Sequence, residues 1–548
     1  MTCSEISNQL FVGLFTIWLT AILFLLLPYR LPYVKINSGD IMTILSASQI
    51  RAVEQTANDA GLPYRDMMEK AGRGCAEYIL QSCGKFNTVC VLIGKGKNGG
   101  DGYVLSRYLA NAGKKVFAVK MFDCESDSLS ESMKDILPDS VELLYLSDNK
   151  EKIFSLIEKC DIITDAVFGI GFSGALPEHI KEVFCECAKS KALKIAIDVP
   201  SGLSHLSENL SNCFRADRTL SMLAYKKEHI YKPYSSLCGK TSIIPIGIQI
   251  NSKSFLNAVT AKEAAKGFPE RKYNSHKGTF GHALLLTGSR KYPGAAVMAT
   301  RGALNTGAGL VTLAFPDCCY NTLTAALSEC IFSPLESDPM GFISDKNTDW
   351  LKNNCNKFSA IAAGCGMGQT AATAKCISTL IKNYKGTLII DADGINSICD
   401  NINILKDAAG TVCLTPHPGE MSRLTGLPVQ TINEHREEIA ASFAKQFGCF
   451  VVLKGANTVI ATDDATVFVN TTGNPALSRG GSGDLLTGIA VSLSAQGNSP
   501  LQSLISAVYL HGLAGDIAAQ KYTQFAATVE RITDCIPEAL SQICEKGL

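Results

Sequence analysis

The feature that most constrains this chain is a recurring unit. A short apolar run of two to six residues leads into a turn carrying Gly or Asp and is followed by a helical pattern. Thr88 to Ile93, Ile162-Ile163 and Lys194 to Ile197 are such runs in the first half, and His282 to Leu286, Thr387 to Ile390 and Cys449 to Leu453 in the second. Buried strands alternating with helices specify parallel, doubly wound sheets, so the fold class is α/β. Helices are expected over Tyr103–Ala112, Gly294–Gly307 and Ser482–Gln496, and Ser46 with Gln49 three residues on forms a capping box.

The chain has 548 residues, enough for two large domains. An apolar extension is expected over 1–41, a first α/β domain with a Rossmann-like doubly wound sheet over 42–250, a polar linker over 251–274 and a second α/β domain over 275–548. Leu10 to Leu27 is uncharged and spans about 27 Å as a helix, close to a bilayer core. Three readings are open: a membrane anchor, an upstream extension of the reading frame with Met42 the true start, or a packed core helix. Residues 10–27 are the only route to a membrane, and Arg30 and Lys35 behind them would keep the remainder cytoplasmic.

Lys+Arg and Asp+Glu both number 51, which argues against a nucleic-acid binder relying on a global basic field. The 21 Cys include no CxxC pair, so reduced thiols in a cytoplasmic protein are expected rather than a disulfide framework or a zinc site.

Ligands of open α/β sheets bind beyond the carboxyl ends of the strands. Three strand ends in the first half carry polar, Gly-containing loops: Gly94-Lys-Gly-Lys-Asn-Gly-Gly-Asp-Gly102, Asp165-Ala-Val-Phe-Gly-Ile-Gly171 and Asp198-Val-Pro-Ser-Gly202. Amides of the first favour an anion. Asn98, Asp165 and Ser201 offer hard oxygens for a cation such as K⁺, and Asp198 is a candidate general acid/base. In the second half, Gly480-Gly-Ser-Gly-Asp484 opens an apolar helix, with amides for a phosphoryl group in transfer and Asp484 placed to take a proton from an attacking hydroxyl. Lys454-Gly-Ala-Asn-Thr458 follows a strand and suits nucleotide phosphates. His417, between two prolines, is read as a ligand contact.

These motifs carry a resemblance. The first loop, with DAVFGIGFSG and IDVPSGL, resembles the YjeF N-terminal family of NAD(P)H-hydrate epimerases over roughly 43–250. HKGTFGHALLLTGS, YPGAAVMATRGAL, TGAGLV, DADGIN, LTPHPGEMSRLTG, VVLKGANT, GNPALSRGGSGDLLTGI and YLHGLAGD, in that order over 275–516, resemble the YjeF C-terminal family of nucleotide-dependent, ribokinase-like NAD(P)H-hydrate dehydratases. By this resemblance Asn98, Asp165 and Ser201 bind K⁺. Lys97, Asn98, Gly99, Gly100, Asp101, Gly169, Ile170, Gly171, Phe172, Ser173, Gly174, Ala175 and Asp198 line the epimerase site, and Lys226 joins Asp198 among the catalytic groups. Ala295, Gly366 or Gly368, His417 and Asp484 contact the hydrated nicotinamide, with Asp484 as base. Lys454, Gly455, Ala456, Asn457, Thr458 and Gly483 hold the adenine nucleotide. Lys97 stands where the family has Asn, Lys227-Glu228 where it has Pro-Gly, and DADGIN where it has DADALN.

The resemblance implies substrates NADHX, NADPHX and ADP, with Mg²⁺ in the dehydratase half and AMP and phosphate as products; a homo-oligomer is expected. Two alternatives stay open: a ribokinase-like vitamin-precursor kinase, and a first half that is a non-catalytic binding module.

Overall fold

The computed structural model describes residues 42–124, 126–172, 174–204, 210–250 and 256–547. The apolar run over 10–27 and Ser173 lie outside these residues. Among the described residues no helix is long and apolar enough to cross a membrane, and every described cysteine is a free thiol.

The strands are, in chain order, β1 (Met42–Ile44), β2 (Thr88–Ile93), β3 (Lys115–Lys120), β4 (Val141–Tyr145), β5 (Ile162–Ala166), β6 (Leu193–Ile197), β7 (Arg218–Met222) and β8 (Lys240–Ile244). They continue with β9 (Leu256–Val259), β10 (His282–Leu286), β11 (Leu310–Pro316), β12 (Ile331–Leu335), β13 (Ala360–Ala363), β14 (Thr387–Ile390), β15 (Thr411–Leu414), β16 (Phe450–Leu453), β17 (Val459–Ala461) and β18 (Val467–Asn470).

The N-terminal sheet runs β4-β3-β2-β5-β6-β7-β8, and its pairings are all parallel. Such a sheet needs apolar residues on both faces: β5 is buried along its whole length, and β2 and β3 at all but their first residue. Strand order reverses between β2 and β5, which opens a crevice at their carboxyl ends. The C-terminal sheet has eleven strands in the order β1-β9-β18-β17-β16-β15-β14-β13-β10-β11-β12. It is parallel from β16 to β12 and reverses between β13 and β10, giving a second crevice of the same kind. Separate apolar cores cover its two faces.

Three sequence expectations are corrected. The glycine motif after β2 is not a loop as far as Gly102: helix Lys97–Asn111 starts inside it. Its glycines answer to crowding, since a Cβ would lie 2.1 Å from the Gly94 carbonyl at Gly99, 2.5 Å from Met68 Sδ at Gly100 and 2.8 Å from Ala166 Cβ at Gly102. The segment read as a linker contains β9 and helix Ala261–Ala265. β1, grouped by sequence with the first domain, is an edge strand of the second sheet, antiparallel to β9. The Ser46–Gln49 capping box forms as expected.

The helix that carries Asp484, Ser482–Ala495, is buried almost throughout and packs on helix Pro293–Asn305 at backbone contact. A Cβ on Gly488 would stand 1.9 Å from the Ala299 carbonyl oxygen, and one on Gly302 would stand 2.5 Å from that of Leu485. Alanine at Gly488 gains about 1 kcal/mol of helix propensity. Overpacking costs about 1–3 kcal/mol or more, and a clash with backbone falls at the upper end. Gly488→Ala should therefore lower the urea midpoint despite the better helix former; an unchanged or raised midpoint would show that the helices part without cost.

Candidate active sites

In the N-terminal crevice, β6 delivers Asp198 with φ of +68°, a conformation that non-glycine residues hold only when neighbours enforce it. The enforcing bonds are visible. Its Oδ1 accepts from Lys226 Nζ at 2.5 Å and its Oδ2 from the Ile170 amide at 3.0 Å. Lys226, 1% exposed, also donates from Nζ to Ser221 Oγ and to the Met222 carbonyl, each at 2.8 Å. Burial alone would raise the Asp198 carboxyl, but the Lys226 ammonium outweighs it and holds the group below its ordinary range.

Asp101, one helical turn from Lys97, goes the other way: burial, then the Asp198 and Glu54 carboxylates, push it well up, outweighing the Lys97 and Lys226 charges. Two carboxyl groups in one crevice are thus driven apart, Asp198 down and Asp101 up. Lys97 Nζ lies 4.2 Å from the Tyr64 ring centroid.

Asp165, fully buried at the end of β5, accepts from Ser201 Oγ and the Ser201 amide, each at 2.7 Å, and from the Val167 amide at 3.1 Å. Burial raises it to about 6 against these bonds. Asn98 turns its Nδ2 to the Ile197 carbonyl at 3.4 Å, and its buried Oδ1 has no partner. An orphaned amide oxygen on the crevice wall beside Gly169 is an acceptor open to a hard cation. Gly169 lies against both acidic and amide groups: a Cβ there would be 3.0 Å from Asp198 Oδ2 and 3.7 Å from Asn98 Cγ. Gly171, Gly174 and Ala175 are exposed at the rim, and Phe172 stacks on Phe168 with centroids 4.1 Å apart.

The second crevice gathers Asp484, Lys454 and His417 about one hollow. Lys454 Nζ donates to Asp391 Oδ1 at 2.6 Å and lies 3.8 Å from Glu420 Oε2. Asp391 Oδ2 accepts from Thr487 Oγ1 at 2.9 Å. One atom each of Cys365, Asp391 and Asp484 fall within 4.8 Å of one another. Gly483 closes the gap, since a Cβ there would meet Lys454 Nζ at 3.4 Å and Asp391 Oδ2 at 3.6 Å.

Asp391 feels burial first, but Lys454 draws it below the carboxylate range. Asp484 has no lysine bonded to it; burial and then the Asp391 charge raise it to about 6. His417 caps helix Pro418–Thr425, its Nδ1 accepting from the Gly419 and Glu420 amides. Its ring stays half-exposed, with Nε2 3.5 Å from Glu420 Oε1, the carboxylate that also lies beside Lys454.

Gly366 abuts Ala295, where its Cβ would fall 2.8 Å from that of Ala295. Gly368 instead donates its amide to Asp393 Oδ2 at 2.8 Å. Lys454 to Thr458 form the turn between β16 and β17, with Gly455 and Ala456 exposed and Asn457 at φ of +54°.

Sequence reasoning did not place Asp391, Glu420, Thr487, Cys365 or Glu54 in the sites. Asp391 carried a usable signal, an Asp directly after a buried strand. Glu420 carried another, three residues after a capping His. Removing Lys454 leaves the buried Asp391 uncompensated, which costs about 3–5 kcal/mol. Lys454→Met should lower thermal stability by that order in calorimetry; wild-type stability would show that Asp391 takes up a proton without loss.

Residues 64–228 match the family described as YjeF-related protein N-terminus, and residues 283–538 that described as NAD(P)H-hydrate dehydratase. A bifunctional NAD(P)H-hydrate repair enzyme of Moorella thermoacetica is 32% identical over 518 residues, covering 92% of this chain and 98% of its own. That of Thermofilum pendens is 30% identical over 511 residues, covering 92% and 97%. A Bacillus subtilis ADP/ATP-dependent NAD(P)H-hydrate dehydratase crystallised with ATP/Mg²⁺ is 30% identical over 52% of this chain and 98% of its own, with a TM-score of 0.46.

Proposed function

This chain belongs to the bifunctional NAD(P)H-hydrate repair family, and from that premise we propose that it restores hydrated NADH and NADPH in two steps, one in each crevice. The N-terminal crevice interconverts the R and S epimers at C6 of the hydrated ring. The C-terminal crevice takes the S form and ADP, transfers a phosphoryl group to the ring hydroxyl, and eliminates phosphate to leave the dihydronicotinamide and AMP. The observation that carries the reading is the convergence of Asp484, Lys454 and His417 at the tips of β14, β15 and β16.

Asp484 acts as the base for the hydroxyl. A carboxyl poised near 6 is ionised at neutral pH and basic enough to accept a proton as the hydroxyl attacks. Amides at the start of helix Ser482–Ala495 face the phosphoryl oxygens, and Lys454 keeps Asp391 charged beside them. Mg²⁺ would neutralise phosphate charge. The oxygens of Asp391 are already taken by Lys454 and Thr487, so the fit is to an ion held mainly by the nucleotide, with Asp484 facing it.

In the epimerase crevice, Asp198 is the acid/base group, and Lys226 fixes its position and charge. Asn98 Oδ1, Asp165 and Ser201 would hold K⁺ there, a fixed positive charge for a substrate phosphate. Lys97, Gly99, Gly100, Asp101, Gly169, Ile170, Gly171, Phe172, Ser173, Gly174 and Ala175 are proposed to line the substrate site. Gly366 is proposed as the glycine that contacts the hydrated ring in the second crevice, a reading supported by its close approach to Ala295.

Purified protein given both NADHX epimers and ADP should recover the near-ultraviolet absorbance of NADH from both. Recovery of S alone would mark the first domain as inactive, and recovery of neither would reject dehydration. A stable phosphorylated product would instead indicate a kinase.

Asp484→Asn should cut dehydration by about 10²–10⁴-fold and spare epimerisation; near-normal turnover would remove it from the base role. Because the base must be ionised, kcat/KM for S-NADHX should fall as pH drops through about 6. A flat profile to well below that value would place the base elsewhere. Asp198→Asn should block use of the R form only, and unchanged R-form repair would clear it of that duty.

A further inference from the structure

Lys226 and Asp198 come from different loops, and a bond between their side chains does not by itself fix where the carboxylate sits. Their backbones are fixed by a third residue. His229 lies in the single-turn helix Lys227–Ile230 and is buried. The Lys226 backbone N–H donates to His229 Nδ1 at 3.0 Å, and His229 Nε2 lies 2.9 Å from the Asp198 carbonyl oxygen. These bonds settle the tautomer. A nitrogen that accepts an N–H carries no proton, so the proton is on Nε2 and is donated to Asp198.

We infer that His229 is a positioning residue of the epimerase crevice, one ring holding the backbones of both members of the Asp198–Lys226 pair and thereby the direction in which the Asp198 carboxylate points. The assignment rests on the reading of Asp198 as the acid/base group.

Three further observations support it. Asp198 holds φ of +68°, and its amide donates to the Leu220 carbonyl at 2.8 Å. The His229 bond to its carbonyl is therefore the restraint on the other side of the strained residue. Burial and the Lys226 charge push the imidazole down to about 4, so the ring stays neutral with Nδ1 free to accept. The groups near it are Lys226, Asp198 and Glu228. Both ring nitrogens are taken by the backbone of that pair, so the ring acts on substrate only through it.

The two bonds can be separated chemically. Asn at this position offers an oxygen near the place of Nδ1 and keeps the acceptor for Lys226. Gln reaches the place of Nε2 and keeps the donor for Asp198. Phe fills the volume and keeps neither.

In the full chain, His229→Phe should lower kcat for R-NADHX about tenfold to a hundredfold, the scale set by a misplacement of the order of 1 Å, with KM within about twofold. His229→Asn and His229→Gln should each recover part of that loss. Dehydration of S-NADHX in the same preparations should be unchanged.

Wild-type kcat on the R form in His229→Phe, with activity lost in Asp198→Asn, would overturn the inference while leaving Asp198 in its role. Loss of S-form dehydration in all His229 variants would also overturn it, since the residue would then serve general packing. Unchanged R-form use in Asp198→Asn would instead remove the acid/base reading on which the inference stands.

Discussion

A lysine ammonium bonded to a buried aspartate at the tip of a parallel sheet organises each crevice. Lys226 meets Asp198 at 2.5 Å and Lys454 meets Asp391 at 2.6 Å. Each aspartate sits where a carboxylate without a countercharge would be protonated or would unfold its surroundings. The lysine supplies that charge and sets what neighbouring acids can do. Asp484, close to Asp391 but without a lysine of its own, rises to about 6. Asp101, close to Asp198, rises as well. One lysine-paired and one unpaired carboxyl recur on unrelated motifs, so each crevice holds two carboxyls displaced in opposite directions, Asp198 and Asp391 down, Asp101 and Asp484 up.

The strands that deliver these groups were legible in the sequence because fully buried parallel strands read as unbroken apolar runs ending at a polar residue. Thr387 to Ile390 followed by Asp391 is the plain case. The side chains that arrive by contact rather than by motif were not legible. Thr487 reaches Asp391 from 96 residues away, and nothing in its own neighbourhood distinguishes it from the other small residues of an apolar helix. His417 was legible as a rigidly held residue, but its capping bonds to Gly419 and Glu420 depend on backbone direction at a helix start.

Domain limits were less legible for a physical reason. β1 has three residues and β9 four, too short for periodicity to reveal, and their pairing spans more than two hundred residues. Met42 faces Ala258 and Ile44 faces Leu256, while the Leu45 amide donates to the Tyr225 carbonyl at 2.9 Å. The edge of the second sheet thus includes the beginning of the described chain, and the lobe that precedes it in sequence is tied to it by backbone bonds.

The same segment that ends the first crevice reaches the second lobe. Lys226 faces Asp198, Lys227 Nζ lies 3.2 Å from Glu437 Oε1, and the Tyr231 hydroxyl also donates to Glu437. Beside Glu437, Arg436 donates to the Leu453 carbonyl at 2.8 Å, directly before Lys454. A residue that replaces Pro-Gly by Lys-Glu at 227–228 therefore changes more than a turn. It places a cation where the second lobe has a partly buried carboxylate, and Glu437 is held below its usual range because Lys227 and Tyr231 outweigh its burial. The departure from the family pattern that looked like a local substitution is, in the fold, an ion pair between lobes.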